Sequence, residues 1–120
     1  MATIMIVDDA VFLRHVLKGI ISGSGHTVIA EASNGREAIH MYHIHKPDII
    51  TMDITMPDMD GIEAVKEIRL HDPKARIIMC SAMGQHKMIL QAIAAGASDF
   101  IVKPFQDDRV LQSIANVLVR

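Results

Sequence analysis

Ile49-Ile50-Thr51-Met52-Asp53-Ile54-Thr55-Met56-Pro57-Asp58-Met59-Asp60-Gly61 is the stretch that decides the reading of this chain. A nearly continuous apolar run delivers a single carboxylate, Asp53, and then breaks at once into a loop of Pro, Asp and Gly. Strands that are apolar at successive positions are buried on both faces, the pattern of a parallel sheet covered by helices. A carboxylate at the end of such a strand either meets a crevice or bears a heavy desolvation cost. Asp53 is therefore the first residue to suspect of chemistry, and the strand predicted around it runs from Asp48 to Asp53.

The same punctuation recurs on both sides of it. Thr3 to Val7 is a mostly apolar run that stops at Asp8-Asp9. Leu13, Val16, Leu17, Ile20 and Ile21 then repeat with helical spacing up to Gly23-Ser24-Gly25. Thr27 to Glu31 reads as a second strand, and Asn34-Gly35 turns into a helix carrying Ala38, Met41 and Tyr42. That helix must stop before Pro47, because the residue preceding a proline is pushed out of the helical region. Asp60 and Glu63 have capping-box spacing, with Asp in the Ser/Thr position, and open a helix with Ile62, Val65 and Ile68 inward. Asp72-Pro73 ends it. Arg76 to Cys80 predicts a fourth strand running into Ser81, and a helix follows from Gln85 to Ala95 with Gly96 as its stop. Ser98 to Val102 predicts a fifth strand delivering Lys103-Pro104. Val110, Leu111, Ile114, Val117 and Leu118 line one face of a last helix.

Alternation of apolar strands with amphipathic helices, without a linker or repeat, predicts a single α/β domain over residues 1–120 with a doubly wound parallel sheet. Half of the 120 residues are hydrophobic and the formal charge is −2, so there is no basic footprint for nucleic acid. No apolar run approaches the roughly 18 residues of a membrane span, and no signal peptide is evident, so a cytoplasmic location is expected. Cys80 is the only cysteine, which excludes an internal disulfide.

In an open parallel sheet, ligands bind outside the carboxyl ends of the strands. Asp8 and Asp9, Asp53, Ser81 and Lys103 all fall at such ends, and so share one edge. Three carboxylates brought together repel, and either protonation or a bound cation relieves them. A hard divalent ion suits the oxygen donors, and Mg²⁺ fits best because it commonly takes only one or two protein carboxylates and keeps several waters. A carboxylate nucleophile, a metal, a lysine and a hydroxyl are together what an acyl-phosphate site needs.

Val7-Asp8-Asp9, Asp53 with Met56-Pro57-Asp58-Met59-Asp60-Gly61, Ser81-Ala82 and Lys103-Pro104-Phe105 together resemble the receiver domain of bacterial two-component response regulators. The likeness covers essentially the whole chain. It implies a flavodoxin-like sheet of order 2-1-3-4-5 with five helices, an order taken from the family rather than read from this chain. It also implies a role for each matching residue. Asp53 would accept a phosphoryl group from a histidine kinase. Asp9, Asp53 and the backbone carbonyl of Thr55 would ligate Mg²⁺, with Asp8 acting through water. Ser81 and Lys103 would hold phosphoryl oxygens. Phe100 would be the switch aromatic, here without the hydroxyl of the tyrosine found in many members, and Pro104 would follow a cis bond. Thr55 and Met83 would flank the path of the hydrolytic water, and Met83 cannot orient it.

The implied protein is a switch rather than an enzyme, although it assists its own phosphorylation and dephosphorylation. Its pattern, including Asn34-Gly35-Arg36-Glu37-Ala38 and Ser81-Ala82-Met83-Gly84, is most similar to stand-alone chemotaxis regulators. The expected partners are a kinase, the flagellar motor switch protein and a phosphatase, and the expected state is a monomer. A phosphorelay intermediate or a receiver domain cut from a larger regulator is the alternative.

Blander and rival readings bear on the same residues. Asp8-Asp9 alone reads equally as a helix N-cap pair, and Lys103 alone as a solvated strand end. His40, His43 and His45 invite a zinc reading, but no Cys or carboxylate completes a tetrahedral set, so an exposed helix face is expected. Cys80 reads as a small buried hydrophobe. An aspartate-nucleophile phosphohydrolase would place a second acid two residues after the nucleophile, where this chain has Thr55. A flavin or nucleotide module would need a phosphate-cradling loop where Asp8-Asp9 would repel phosphate.

Overall fold

The computed structural model describes residues 1–119. Five strands alternate with five helices: β1 (Thr3–Val7), α1 (Val11–Ser22), β2 (Thr27–Ala32), α2 (Gly35–His45), β3 (Ile49–Asp53), α3 (Gly61–His71), β4 (Ile77–Ser81), α4 (His86–Ala95), β5 (Asp99–Val102) and α5 (Asp107–Leu118). All strand pairs are parallel, in the order β2-β1-β3-β4-β5. The chain winds from β1 outward to β2, then returns to place β3 on the other side of β1. The reversal leaves a crevice between the carboxyl ends of β1 and β3, where Asp8 and Asp53 emerge.

Side chains alternate across a strand, and the two layers of the core follow that parity. Ile4, Ile6, Ile49, Ile78, Cys80 and Ile101 pack against Leu17 and Ile21 of α1 and Val110, Ile114 and Val117 of α5. Met5, Val7, Ile50, Met52, Ile77 and Met79 face the other way, onto Ala38 and Tyr42 of α2, Ile62, Val65 and Ile68 of α3, and Ile89 and Ala92 of α4. Burying each such large aliphatic side chain contributes about 1.5–3 kcal/mol. Thr51 and Asp53 continue the parity of Ile49 and fall on the α1/α5 side.

Helix ends follow the side chains that can satisfy their free amides. Asn34 caps α2 by accepting from the Glu37 N–H at 2.9 Å, while Glu37 Oε1 accepts in return from the Ser33 N–H at 2.8 Å. Asp60 caps α3 through the Glu63 N–H at 3.0 Å, as the capping-box spacing predicts. Helix α2 ends at His45, with Lys46 in the left-handed region at φ 43° immediately before Pro47. Gly96, at φ 119°, closes α4.

Several boundaries differ from the sequence expectation by a residue. Strand β2 runs on to Ala32, because Val7 pairs with it. Strand β3 starts at Ile49, since the Asp48 side chain turns back to accept from the Thr3 N–H at 2.8 Å. Strand β4 spans Ile77–Ser81, so Ser81 is its last paired residue. Strand β5 begins at Asp99 rather than Ser98, and α4 at His86, with Gln85 at its N-cap position. Asp8-Asp9 does not form the N-cap of α1: that position is Ala10, which has no side-chain cap, and Asp8 Oδ1 instead accepts the Ala10 N–H at 2.9 Å. No helix among the described residues is long and apolar enough to cross a membrane.

Candidate functional site

The four strand ends meet. Asp8 is 3% exposed, Asp53 6% and Ser81 0%. Lys103, just past β5, extends its ammonium between the two carboxylates, with Nζ 3.1 Å from Asp8 Oδ2 and 3.1 Å from Asp53 Oδ1. Asp9 is exposed, yet one oxygen from each of Asp8, Asp9 and Asp53 falls within 4.8 Å of the others. Carboxylate oxygens at that spacing suit a hard divalent cation such as Mg²⁺, and among the described residues this is the cluster that could hold one. The Lys103–Pro104 peptide bond is cis.

The electrostatics of Asp53 follow from burial and crowding. Desolvation and the neighbouring Asp8 push its carboxyl up to about 6, while Lys103 pulls the other way. For Lys103, burial works against the ammonium, but Asp53 and Asp8 outweigh it and the net direction is upward. Ser81 Oγ lies buried without a hydrogen-bond partner. A buried hydroxyl left without a partner is costly.

Surrounding loops hold this cluster in place. The Gly61 N–H donates to the Ile54 carbonyl at 2.7 Å, drawing the start of α3 under the end of β3. The Arg14 guanidinium donates to the Asp8 carbonyl and pairs with Glu31 at 3.2 Å, tying the end of β1 to α1 and β2. Thr55 is exposed on the loop after β3, and its hydroxyl accepts from Gln85 Nε2 at 2.9 Å. The other end of the same amide, Gln85 Oε1, accepts the Ala82 N–H at 2.7 Å. The sequence marks Gln85 as nothing more than the start of a helix, and no spacing rule draws attention to it.

Phe100 is half-buried against the core layer of α2, α3 and α4. Beside it, Met83, Lys103, Pro104, Gln106 and Arg109 line a groove of about 290 Å³. Met83 is 81% exposed. His40, His43 and His45 are exposed on α2, as expected, and form no metal-binding group among the described residues.

The response regulator receiver domain profile matches residues 4–115. The chain belongs to the receiver domain family. This receiver is 60% identical over 115 residues to the chemotaxis protein CheY of Bacillus subtilis, covering 96% of each chain. It is 59% identical over 114 residues to CheY of Thermotoga maritima, covering 95% of each. Among solved structures, it superposes with TM-score 0.93 and 41% identity on a chain of the CheX–CheY–BeF3–Mg²⁺ complex from Borrelia burgdorferi, covering 98% of the receiver and 90% of that chain. The expected family, the five-stranded order and the α/β class therefore all hold.

Proposed function

We propose that this receiver is a phosphorylation-dependent switch of chemotaxis that accepts a phosphoryl group on Asp53 and passes its state to a target such as the flagellar motor switch. The observation that carries the reading is the convergence on Asp53: a buried strand-end carboxylate bonded to Lys103, beside a buried Ser81 hydroxyl that has no partner. The likeness to CheY proteins along nearly the whole chain supports the chemotaxis assignment.

In the proposed reaction, an Asp53 carboxylate oxygen attacks the phosphorus of a phosphohistidine on the kinase. The P–N bond breaks as the new P–O bond forms, and the histidine nitrogen leaves with its electron pair and is protonated. Asp53 must be ionised to attack, and with its carboxyl near 6 it is mostly so at neutral pH. Asp9, Asp53 and the Thr55 carbonyl would hold Mg²⁺, with Asp8 acting through water, and the bound ion would supply positive charge against the phosphoryl oxygens. Lys103 stabilises a second oxygen by its charge, and the Ser81 hydroxyl donates to a third. Phe100 follows Ser81 and changes the surface that a partner meets at β5 and α5. The chain lends its own groups to both phosphorylation and hydrolysis, and a histidine kinase and a phosphatase complete the cycle. A cytoplasmic, monomeric protein accords with this reading.

Incubation with Mg²⁺ and acetyl phosphate, followed by intact mass measurement, tests the assignment. One phosphoryl adduct is expected on the wild type and none on Asp53→Asn. The modified form should bind a flagellar motor-switch peptide more tightly than the unmodified one. An adduct that persists in Asp53→Asn overturns the site.

A further inference from the structure

Gln85 occupies the N-cap position of α4, yet its side chain makes no cap there. It bridges instead, from the Ala82 N–H at 2.7 Å to Thr55 Oγ1 at 2.9 Å. One amide thus ties the loop after β4 to the loop after β3, the two loops that flank the end of the strand carrying Asp53. Helix α4 has little else to secure its first turn. It lacks an acidic residue there, and Lys87 stands where the helix dipole disfavours positive charge. Only Ile89 and Ala92 of α4 are buried. Immediately before Ala82, Ser81 Oγ is buried without a partner, so the tie holds the end of β4 in an arrangement that the serine itself does not favour.

Building on the phosphoacceptor reading of Asp53, we propose that Gln85 is a positioning residue that latches the loop between β4 and α4 in its resting arrangement. The donors that the end of β4 can offer to a phosphoryl group are the Ser81 hydroxyl and the Ala82 N–H. The Ala82 N–H becomes available only when Gln85 lets it go. The bridge therefore belongs to the resting state, and its strength sets how far a phosphoryl group shifts the balance between the two states. Release of Gln85 also frees the first turn of α4, which carries the event from Asp53 to the surface of the molecule.

Beryllofluoride with Mg²⁺, a non-covalent stand-in for the phosphoryl group, provides the test. Gln85→Ala is expected to bind it about three- to tenfold more tightly than the wild type, as follows from losing the net worth of the bridge's hydrogen bonds to Ala82 and Thr55 in the resting state only. The same variant should melt at a lower temperature. Thr55→Val should shift affinity in the same direction, and the double variant no further than Gln85→Ala. A merely structural residue would lose stability without any gain in affinity, so unchanged or weaker beryllofluoride binding by Gln85→Ala overturns the latch. Amide hydrogen exchange without Mg²⁺ or beryllofluoride gives an independent readout. Ala82 and the first turn of α4 should exchange faster in Gln85→Ala, and unaltered exchange there also overturns the proposal. A wild type that ignores beryllofluoride, while exchange still quickens in Gln85→Ala, overturns the phosphoacceptor reading and leaves Gln85 as the tie between the loops.

Discussion

Gly61 and Asp53 are in backbone contact: a Cβ built on Gly61 would drive into the Asp53 carbonyl oxygen and stand 3.0 Å from its carbonyl carbon. The start of α3 can therefore tuck beneath the proposed phosphoacceptor only because residue 61 has no side chain. Gly61→Ala is expected to destabilise the protein by the roughly 1–3 kcal/mol of overpacking or more, since the obstacle is backbone. Gly19, inside α1 with nothing beyond its own stretch of helix within 4 Å of its missing Cβ, is the matched control. Gly19→Ala should stabilise by roughly 0.5–1 kcal/mol. Urea unfolding of both variants checks the pair.

Thr51 sits in the middle of β3, buried, with a hydroxyl that has no partner. Its neighbours on that face are the aliphatic side chains that meet α1 and α5. Thr51→Val replaces the hydroxyl with a methyl of similar size, and a gain of about 1 kcal/mol is expected. A loss of stability on thermal or urea unfolding would contradict the account of that layer.

Asp53 should make stability depend on pH in an unusual direction for a carboxylate. The folded state holds its proton more tightly than the unfolded chain, so between 3.8 and about 6 the folded protein binds more protons. Stability from this group is complete below the unfolded value and is lost as pH rises through about 6. Asp53→Asn removes the buried charge, and at pH 8 it should be more stable than the wild type by on the order of 1–3 kcal/mol without divalent cations. Mg²⁺ binds only the ionised cluster, so it should raise the wild-type melting temperature more at pH 8 than at pH 5, and chelation should reverse the gain. Melting curves at the two pH values, with and without the cation, measure both effects.

Met83 is exposed beside Lys103 in the groove next to Phe100, and offers no group that could orient a water molecule. A carboxylate there could accept a proton from an attacking water. Met83→Glu should therefore shorten the lifetime of the phosphorylated form severalfold in a phosphate-release assay. Hydrolysis no faster than that of the wild type would remove Met83 from the account of the lifetime.

Asp8, Asp53, Ser81 and Lys103 were legible in the sequence because each ends an apolar run, and parallel strands bring such ends to one edge. The Asp60–Glu63 cap and the stop at Gly96 were legible for equally local reasons. The bridge made by Gln85 was not, because its partners lie on two different loops and an exposed glutamine at a helix start has no spacing that foretells them. Nor was the close approach of Gly61 to Asp53, since a glycine at the head of a helix is equally at home with nothing beside it. The single-residue shift of β4 changed the meaning of Ser81: as a paired strand residue its hydroxyl is sealed from water, and its unmet need for a partner becomes visible.

Cys80 lies one residue before Ser81, on the layer against α1 and α5, with its thiol pushed up by burial. A sulfur held there is inert to reagents while the sheet is closed and becomes reactive only when β4 parts from its neighbours. As the only cysteine in the chain, it is a built-in stopwatch. The rate at which a thiol reagent consumes the protein times the opening of the strand that carries Ser81, without any label having to be introduced.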